Sequence, residues 1–500
     1  MVRMTLKNQI GTAFVWNHAA RITGYALDLL LSIILARGLG AHDYGVWSEL
    51  YTLIFLFSML CSFGLDTSAN VFVPKLSRQK LSAYLRFSLF IFIALSLLSL
   101  FLMNALSTQW NLWFDSPLST YIGIASLYMV FFAFSIWMNA LLISFYDLKF
   151  SFIINVGFKT IVSAGAWLLL YSGYGIRELL YLMTATLAAV VCFFSIRHGS
   201  LLFAKSTAID RMRIWRFNVV AWLTKFLNYL LGRYSDIFIL GLFQVVNEEI
   251  AYFNLSFSLT MALFYLFTAG FGGVSLTLFS KAVHEGKLER VQRGWTMILK
   301  VIILFCLPVF CFFILHADMI MVLLYSDDFI PAASLFRVFA LFYLISILTG
   351  AGVNSAVLYA FERQSTVFRL RAIFGTLNIL LDLLLIRYWG VMGAIVATGI
   401  STVAIIAFEL IAVRQSLSIR YPFIFLLKIV LAVGIGLLLI SLLISVPTPL
   451  LLIIKAFAYF GVVLAGLAMF KPFDRQDFDF IEKELQSIAF MVRPFVKFQA

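Results

Sequence analysis

Fourteen apolar stretches, each of about twenty residues, follow one another along the chain with short polar connections. A helix of that length spans the hydrocarbon core of a bilayer, where the backbone must satisfy its own hydrogen bonds. The sequence therefore predicts an all-α integral membrane protein. The predicted spans are 11–36, 46–64, 84–106, 119–145, 151–172, 178–196, 217–243, 250–278, 296–317, 332–360, 366–386, 391–413, 423–445 and 449–470.

The composition and the charge distribution agree with this prediction. The chain is 63% hydrophobic and 12% charged, whereas soluble domains are roughly 25% charged. A net charge of +13 in a soluble chain would suggest nucleic acid, but here 28 of the 37 Lys and Arg fall in loops on one side of the spans. Basic loops mark the cytoplasmic side. We therefore predict cytoplasmic termini and no nucleic-acid partner.

Two parts of the chain resemble each other. Residues 41–64 align with residues 247–270 at an offset of 206, and Asp147 aligns with Glu362 at an offset of 215. Two halves in the same orientation predict two pseudo-symmetric six-helix lobes, an arrangement typical of transporters. The predicted organisation is an N-terminal lobe at 1–200 (spans 1–6), a C-terminal lobe at 201–420 (spans 7–12), two extra spans at 421–470 and a cytoplasmic amphipathic tail at 471–500.

Ionisable residues inside the predicted spans are costly, so they face a partner or a wet cavity. In span 7, a continuous helix would place Lys225, Arg233 and Asp236 on one face. Ion pairs that lock helices together are one interpretation. The predicted intramembrane cations outnumber the acids, however, and this surplus favours a cationic cavity that binds an anionic cargo such as a lipid phosphate. The cations are Arg21, Lys159, Lys225, Arg233 and Arg337, and the acids are Asp28, Glu49 and Asp236.

A second set of polar residues suggests coupling to an ion. Asn378 and Asp382 are four residues apart and share a helical face. With Asp236 and with Thr398 on span 12, they supply oxygen ligands that suit an alkali cation, although an acidic group can also carry a proton. The alternative is that Asp382 pairs with Arg387 near the end of span 11. The sequence contains no P-loop and no histidine spacing typical of a metal site, so we predict no other cofactor.

Several segments resemble one known family. ILARGLGAHDYGVWSELYTL at 34–53 resembles the "LAR-LG-x-x-x-YG-x-x-S" loop after the first span of polysaccharide biosynthesis membrane proteins. GRYSDIFILGLFQVVNEEIAYFNLSFSL, AASLFRVFALFYLISILTG and RYWGVMGAIVATGIS resemble that family's seventh-, tenth- and twelfth-span patterns. The family comprises O-antigen and oligosaccharide (Wzx-type) flippases of the multidrug/oligosaccharidyl-lipid/polysaccharide exporter superfamily. The resemblance covers roughly residues 10–470, with Ala251 where the family has Gly.

The resemblance implies a flippase in a bacterial plasma (inner) membrane, not an enzyme. Its cargo would be polyprenyl-diphosphate-linked oligosaccharide repeat units, moved from the cytoplasmic to the outer leaflet by alternating access. It also implies a diphosphate near Arg21, Lys225, Arg233 and Arg337, and a sodium site at Asp236, Asn378, Asp382 and Thr398. A polysaccharide polymerase and a chain-length regulator would be its partners in O-antigen, capsule or exopolysaccharide synthesis.

Other functions stay open. A peptidoglycan-precursor or spore-wall lipid flippase would carry a related cargo. A multidrug cation antiporter of the same superfamily would have twelve spans and a neutral or acidic cavity. A membrane-embedded polymerase or glycosyltransferase needs catalytic groups on a sizeable outer loop, whereas the longest outer loop here, around HADMIMVLLYSDDFIP, is short and apolar.

Overall fold

The computed structural model describes residues 6–205, 207–268, 271–441, 449–474, 477 and 480, with side chains for all of these except 6–22, 272–274 and 449–450. These residues form helices and short connections, with no strand among them. The helices are α1 (Leu6–Ser62), α2 (Leu65–Phe72), α3 (Arg78–Ala105), α4 (Ser107–Phe114), α5 (Ser119–Ser144), α6 (Leu148–Tyr171), α7 (Ile176–His198), α8 (Ser200–Phe203), α9 (Arg211–Tyr229), α10 (Arg233–Leu242), α11 (Asn247–Thr268), α12 (Phe271–His284), α13 (Leu288–Leu315), α14 (Ala317–Leu324), α15 (Ala332–Leu348), α16 (Val353–Ala360), α17 (Gln364–Arg414), α18 (Phe423–Ser441) and α19 (Pro449–Phe470). Two 3₁₀ turns cover Val73–Lys75 and Asp327–Phe329.

The helices account for the predicted membrane spans. Eleven stretches of the described residues are helical, long and apolar enough to cross a bilayer. Two of them, Thr23–Ser62 and Gln364–Arg414, each contain two predicted spans, and the seventh predicted span is divided between α9 and α10. The prediction of an all-α membrane protein with about fourteen spans is confirmed.

The two longest helices each contain one non-helical residue, and that residue is a glycine. Gly40 in α1 has φ 75° and ψ 174°, and Gly390 in α17 has φ 52° and ψ −135°. Side chains rarely tolerate these angles because Cβ clashes with the backbone, whereas glycine has no Cβ. Each glycine therefore bends the chain between two predicted spans without a longer loop.

The helix predicted over 217–243 is not continuous, so the prediction of one polar face across it is wrong. Asp210 caps the start of α9 by accepting a hydrogen bond from the Arg213 backbone at 3.0 Å. The helix ends at Tyr229, and α10 begins at Arg233. Gly232 adopts extended angles, with φ −114° and ψ 159°, and this conformation separates the two helices.

The chain divides into two compact units. The first contains Met1–Leu255 and Asn378–Ala394, and the second contains Ser256–Leu377 and Ile395–Ala500. The predicted lobes at 1–200 and 201–420 and the extra pair at 421–470 stay a prediction. The predicted amphipathic tail lies almost entirely outside the described residues, but Asp477 accepts a hydrogen bond from Lys300 at 2.6 Å in the second unit.

Equivalent positions of the sequence repeat meet within the first unit. The Asn254 amide donates to the Ser48 hydroxyl at 2.7 Å, and His42 lies 3.3 Å from the Glu248 carboxylate. Both pairs are separated by 206 residues, which is the offset of the repeat. Contacts between equivalent positions are expected at a twofold axis. These two contacts therefore place an approximate twofold relation between the starts of the second and eighth spans.

Candidate functional site

Arg233 is the first residue of α10 and is half-buried in the first unit. Its guanidinium lies over the Tyr234 ring, 4.8 Å from the centroid. It donates to the Tyr234 hydroxyl at 2.9 Å and to the Asn254 side-chain oxygen at 3.3 Å. The Tyr234 ring in turn stacks on Phe55, with centroids 4.3 Å apart. These contacts fix the guanidinium in one position, as expected for a cation within a predicted membrane span.

A cluster of acid and amide side chains from α10 and α17 includes Asp236, which follows Arg233 by three residues. Asp236, Asn378 and Asp382 are fully buried. The Asn378 amide nitrogen lies 3.3 Å from an Asp236 carboxylate oxygen and 3.0 Å from an Asp382 oxygen. It also contacts the Leu230 carbonyl at 3.3 Å, which is exposed to a side-chain donor because α9 has just ended. The break in span 7 thus helps to assemble the cluster.

Two oxygens of this cluster have no hydrogen-bond donor among the described residues. They are the side-chain oxygen of Asn378 and one carboxylate oxygen of Asp382, and both are buried. The Asp382 carboxylate contacts the Asn378 amide. Within the residues that the structure describes, it forms no ion pair with Arg387. Unsatisfied buried oxygens are costly. Hard oxygen donors of this kind fit an alkali cation, or a proton on a carboxylate.

Three of the predicted cations form ion pairs. Lys159 lies 2.7 Å from Asp28, and both residues were predicted as site residues. Lys225 pairs with Asp66 at the start of α2. In the second unit, Arg337 on α15 lies 2.5 Å from Asp318 on α14. Asp66 and Asp318 are not among the three acids that the sequence comparison set against the cations. The excess of cations over acids is therefore smaller than predicted.

Glu49 is fully buried, and neither of its carboxyl oxygens has a hydrogen-bond partner among the described residues. The Ser116 hydroxyl is likewise buried without such a partner. A Cβ placed on Gly241 would lie 3.1 Å from a Glu49 oxygen and 2.2 Å from the Phe114 ring, so the glycine leaves room for both side chains. Glu49 is therefore a buried acid that takes no part in the ion pairs described above.

Two further predicted site residues lie on α1 and α17. Arg21 lies within α1, but its side chain is outside the described residues. Thr398 is buried on α17 beyond Gly390 and belongs to the second unit. No group of three His, Cys, Asp or Glu side chains suited to a metal ion occurs in the part of the chain that the structure describes.

Sequence reasoning missed several polar partners. Asp66 lies just beyond the second predicted span, and Asn254 lies within the eighth. One signal was present for Asn254, because the offset of 206 aligns it with Ser48. For Asp66 and Asp318 no sequence signal exists, since each cation and its acid become neighbours only through helix packing.

Comparison with known proteins gives a family and a fold. The polysaccharide biosynthesis protein family matches residues 34–334 of the chain. Comparison with the curated proteins gives no match.

Solved structures of two kinds share the fold. The lipid II flippase MurJ in an inward closed conformation superposes with a TM-score of 0.72, at 18% identity over 92% of this chain and 98% of that one. An inward-facing multidrug resistance MATE family transporter of the MOP superfamily gives a TM-score of 0.67, at 14% identity over 79% of this chain and 94% of that one. An outward-facing transporter of the same kind gives 0.53, at 14% identity over 81% and 95%.

Proposed function

Because the chain belongs to the polysaccharide biosynthesis protein family, we propose that it is a flippase for polyprenyl-diphosphate-linked oligosaccharide repeat units. It would move them from the cytoplasmic to the outer leaflet of a bacterial plasma membrane by alternating access, with both termini in the cytoplasm. The products would enter O-antigen, capsule or exopolysaccharide synthesis, where a polymerase and a chain-length regulator are the expected partners.

The observation that carries this proposal is the way Arg233 is held within the seventh predicted span. Its guanidinium is held by Tyr234 and Asn254, and it lies at the N-terminus of α10. A planar guanidinium suits bidentate contact with phosphate oxygens, and a helix N-terminus also favours anions. A lipid diphosphate beside Arg233 would therefore meet two favourable electrostatic contributions.

Other cations extend this proposed phosphate site. Lys225 and Lys159 lie in the same unit as Arg233, where each is paired with an acid. Lys225 would contact the diphosphate once a proton on Asp66 replaces the ion pair, since an uncompensated carboxylate away from water is costly. Lys159 stays paired with Asp28. We also assign Arg21 to the contacts of the diphosphate, and Glu49 and Asp28 to the acidic lining. Arg337 belongs to the second unit, and its role as a further phosphate contact stays a prediction.

We assign ion coupling to Asp236, Asn378 and Asp382, and the role of Thr398 as a further ligand stays a prediction. The support is the pair of buried oxygens on Asn378 and Asp382 that lack a donor among the described residues. Sodium binding would satisfy these oxygens, and so would a proton on Asp382. Either ion would supply the free energy of its gradient to transport.

Deletion of the gene in the source bacterium tests the proposed function. Polyprenyl-diphosphate-linked repeat units should accumulate in the cytoplasmic leaflet, and surface polysaccharide should fall. Accumulation of a peptidoglycan precursor instead would assign the alternative cargo. If surface glycan and all lipid-linked intermediates are unchanged, the flippase assignment is wrong.

A further inference from the structure

A cavity of about 350 Å³ lies inside the first unit, apart from Arg233 and from the acid and amide cluster. Helices α2, α5, α6 and α7 form its walls. Its volume is at the lower end of the roughly 300–1,000 Å³ that small-molecule sites occupy. The polar residues that line it are Asp66, Asn70, Ser135, Asn139, Asn155 and Lys159.

The two charged residues of the cavity are already neutralised. Asp66 pairs with Lys225, and Lys159 lies 2.7 Å from Asp28. A charged ligand would have to break one of these pairs and leave the other partner without compensation, which is costly away from water. The cavity therefore favours an uncharged ligand.

The amide side chains are held in fixed positions and keep capacity for a ligand. The Asn139 oxygen accepts from the Ser151 hydroxyl at 2.5 Å and from the Asn155 amide at 2.9 Å. The Asn70 oxygen accepts from the Ser144 hydroxyl at 3.2 Å. Among the described residues, the amide nitrogens of Asn139 and Asn70 have no acceptor, and the Asn155 oxygen has no donor. The cavity thus offers both donors and an acceptor.

Hydroxyl groups match this mixture, because each hydroxyl both donates and accepts. The cavity also presents the Phe132 and Phe158 side chains, with Ile136 and Ile143 beside them. A sugar ring combines hydroxyls at its edge with apolar C–H faces, so it can use the amides and the phenyl rings together. A lipid tail would leave the amides unsatisfied, and a diphosphate would carry charge into a neutral site.

The position of the cavity suits the start of transport. Its lining residues lie in the C-terminal half of α5 and the N-terminal half of α6, toward the helix ends that the short connection at 145–147 joins, and on α2 after the second predicted span. The distribution of basic residues predicts that these helix ends face the cytoplasm, where the lipid-linked glycan is made.

We propose that this cavity of the first unit, with Asn139, Asn155 and Asn70, is a subsite for one uncharged sugar ring of the lipid-linked cargo. The inference rests on the proposed function and locates the part of the cargo that Arg233 does not contact.

Binding measurements on the full-length protein in nanodiscs test the subsite. The probes are undecaprenyl diphosphate and undecaprenyl-diphosphate-linked N-acetylglucosamine. The parent protein should bind the sugar-bearing lipid about tenfold more tightly, as expected for a few neutral hydrogen bonds. Asn139→Ala should lower that affinity to the level of the bare lipid while binding the bare lipid as the parent does.

A second variant separates ligand binding from folding. Ser135→Leu fills the cavity and removes only a bond from the Ser135 hydroxyl to the Phe132 carbonyl within α5, so it should also abolish the preference for the sugar. The control is Asn104→Ala on α3, an amide bonded to Ser126 outside the cavity, which should bind both probes as the parent does.

The outcomes distinguish the inference from the proposed function. If the parent binds neither probe, the proposed function itself fails. If the parent binds both probes equally, or prefers the sugar while Asn139→Ala and Ser135→Leu keep that preference, the subsite is wrong and the flippase proposal stands.

Discussion

Gly45 lies against the backbone of Asn247 with no room for a side chain. A Cβ at Gly45 would lie 1.9 Å from the Asn247 carbonyl oxygen and 2.5 Å from its carbon. Both atoms belong to the first residue of α11, so relief would require a shift of that helix. We predict that Gly45→Ala greatly lowers the yield of monodisperse protein in size-exclusion chromatography.

Gly123→Ala is the matched control, because a Cβ there would meet nothing within 4 Å. Gly123 lies within α5, where alanine stabilises a helix by roughly 0.5–1 kcal/mol relative to glycine. This control should be folded at the parent's yield or above it. A Gly45→Ala protein with the parent's yield and melting temperature would contradict the packing described for this position.

Lys225 and Asp66 allow a test of whether an intramembrane cation serves the cargo or only the fold. Removal of one partner leaves the other charge of this part-buried pair uncompensated, which lowers the stability of the folded protein. We predict that Lys225→Ala lowers both stability and transport. The double variant Lys225→Ala with Asp66→Ala should recover the melting temperature but not transport. Full recovery of both would show that the pair has only a structural role.

The cluster of Asp236, Asn378 and Asp382 can be tested without a transport assay. A ligand that binds only the folded state stabilises it, by about 2.7 kcal/mol at one hundred times its dissociation constant. We predict that sodium chloride raises the melting temperature of the parent above its value in potassium chloride, and that Asp382→Asn removes this difference. Asp147→Asn, which alters the surface pair with Arg197, is the control and should keep the sodium effect. Equal melting temperatures of the parent in both salts would argue against a sodium site and leave the proton as the coupling ion.

The sequence can indicate a candidate residue when the apolar segment around that residue is enough to mark it. A charged or amide side chain within an apolar run is visible in the sequence, and such runs indicate Arg233, Asn378 and Asp382 as candidate site residues. Their partners depend on packing between distant segments. Lys225 and Asp66 are 159 residues apart, and nothing in the sequence joins them.

At the scale of helices, apolar length predicted the spans, but the breaks depend on single residues. The interruption between α9 and α10 could not be predicted, because Leu230 and Leu231 are good helix formers and only Gly232 indicates a break. This interruption has a consequence for the site, since it leaves the Leu230 carbonyl available to Asn378.

A substitution at Gly390 tests how α17 joins two predicted spans. The nearest atom to a Cβ at this position would be a Glu249 oxygen at 3.6 Å, which is ordinary contact, so the space is sufficient. The angles φ 52° and ψ −135° are nonetheless unfavourable for alanine, at a cost of about 1–3 kcal/mol. We predict that Gly390→Ala lowers the melting temperature, measured by intrinsic fluorescence, while Gly123→Ala does not. An unchanged melting temperature would mean that α17 is not bent as described.

For the whole molecule, the repeat in the sequence was informative because symmetry relates many residues at once. The offset of 206 returns in the contacts of Asn254 with Ser48 and of His42 with Glu248. On the proposed function, the identity of the cargo depends instead on a few side chains in two small regions, around Arg233 and in the cavity of the first unit. Diffuse apolar motifs do not encode such contacts, so they indicate the family without the glycan.

Transport of purified cargo in proteoliposomes tests the central claim most directly. Lipid-linked repeat units from the deletion strain are placed in the inner leaflet, and their appearance outside is followed with an impermeant glycosidase under a sodium or proton gradient. We predict rapid transfer by the parent, none by Arg233→Ala and partial transfer by Arg233→Lys, which keeps the charge but loses the planar contact. Transfer by the parent no faster than in protein-free liposomes under either gradient would contradict the assignment as a flippase.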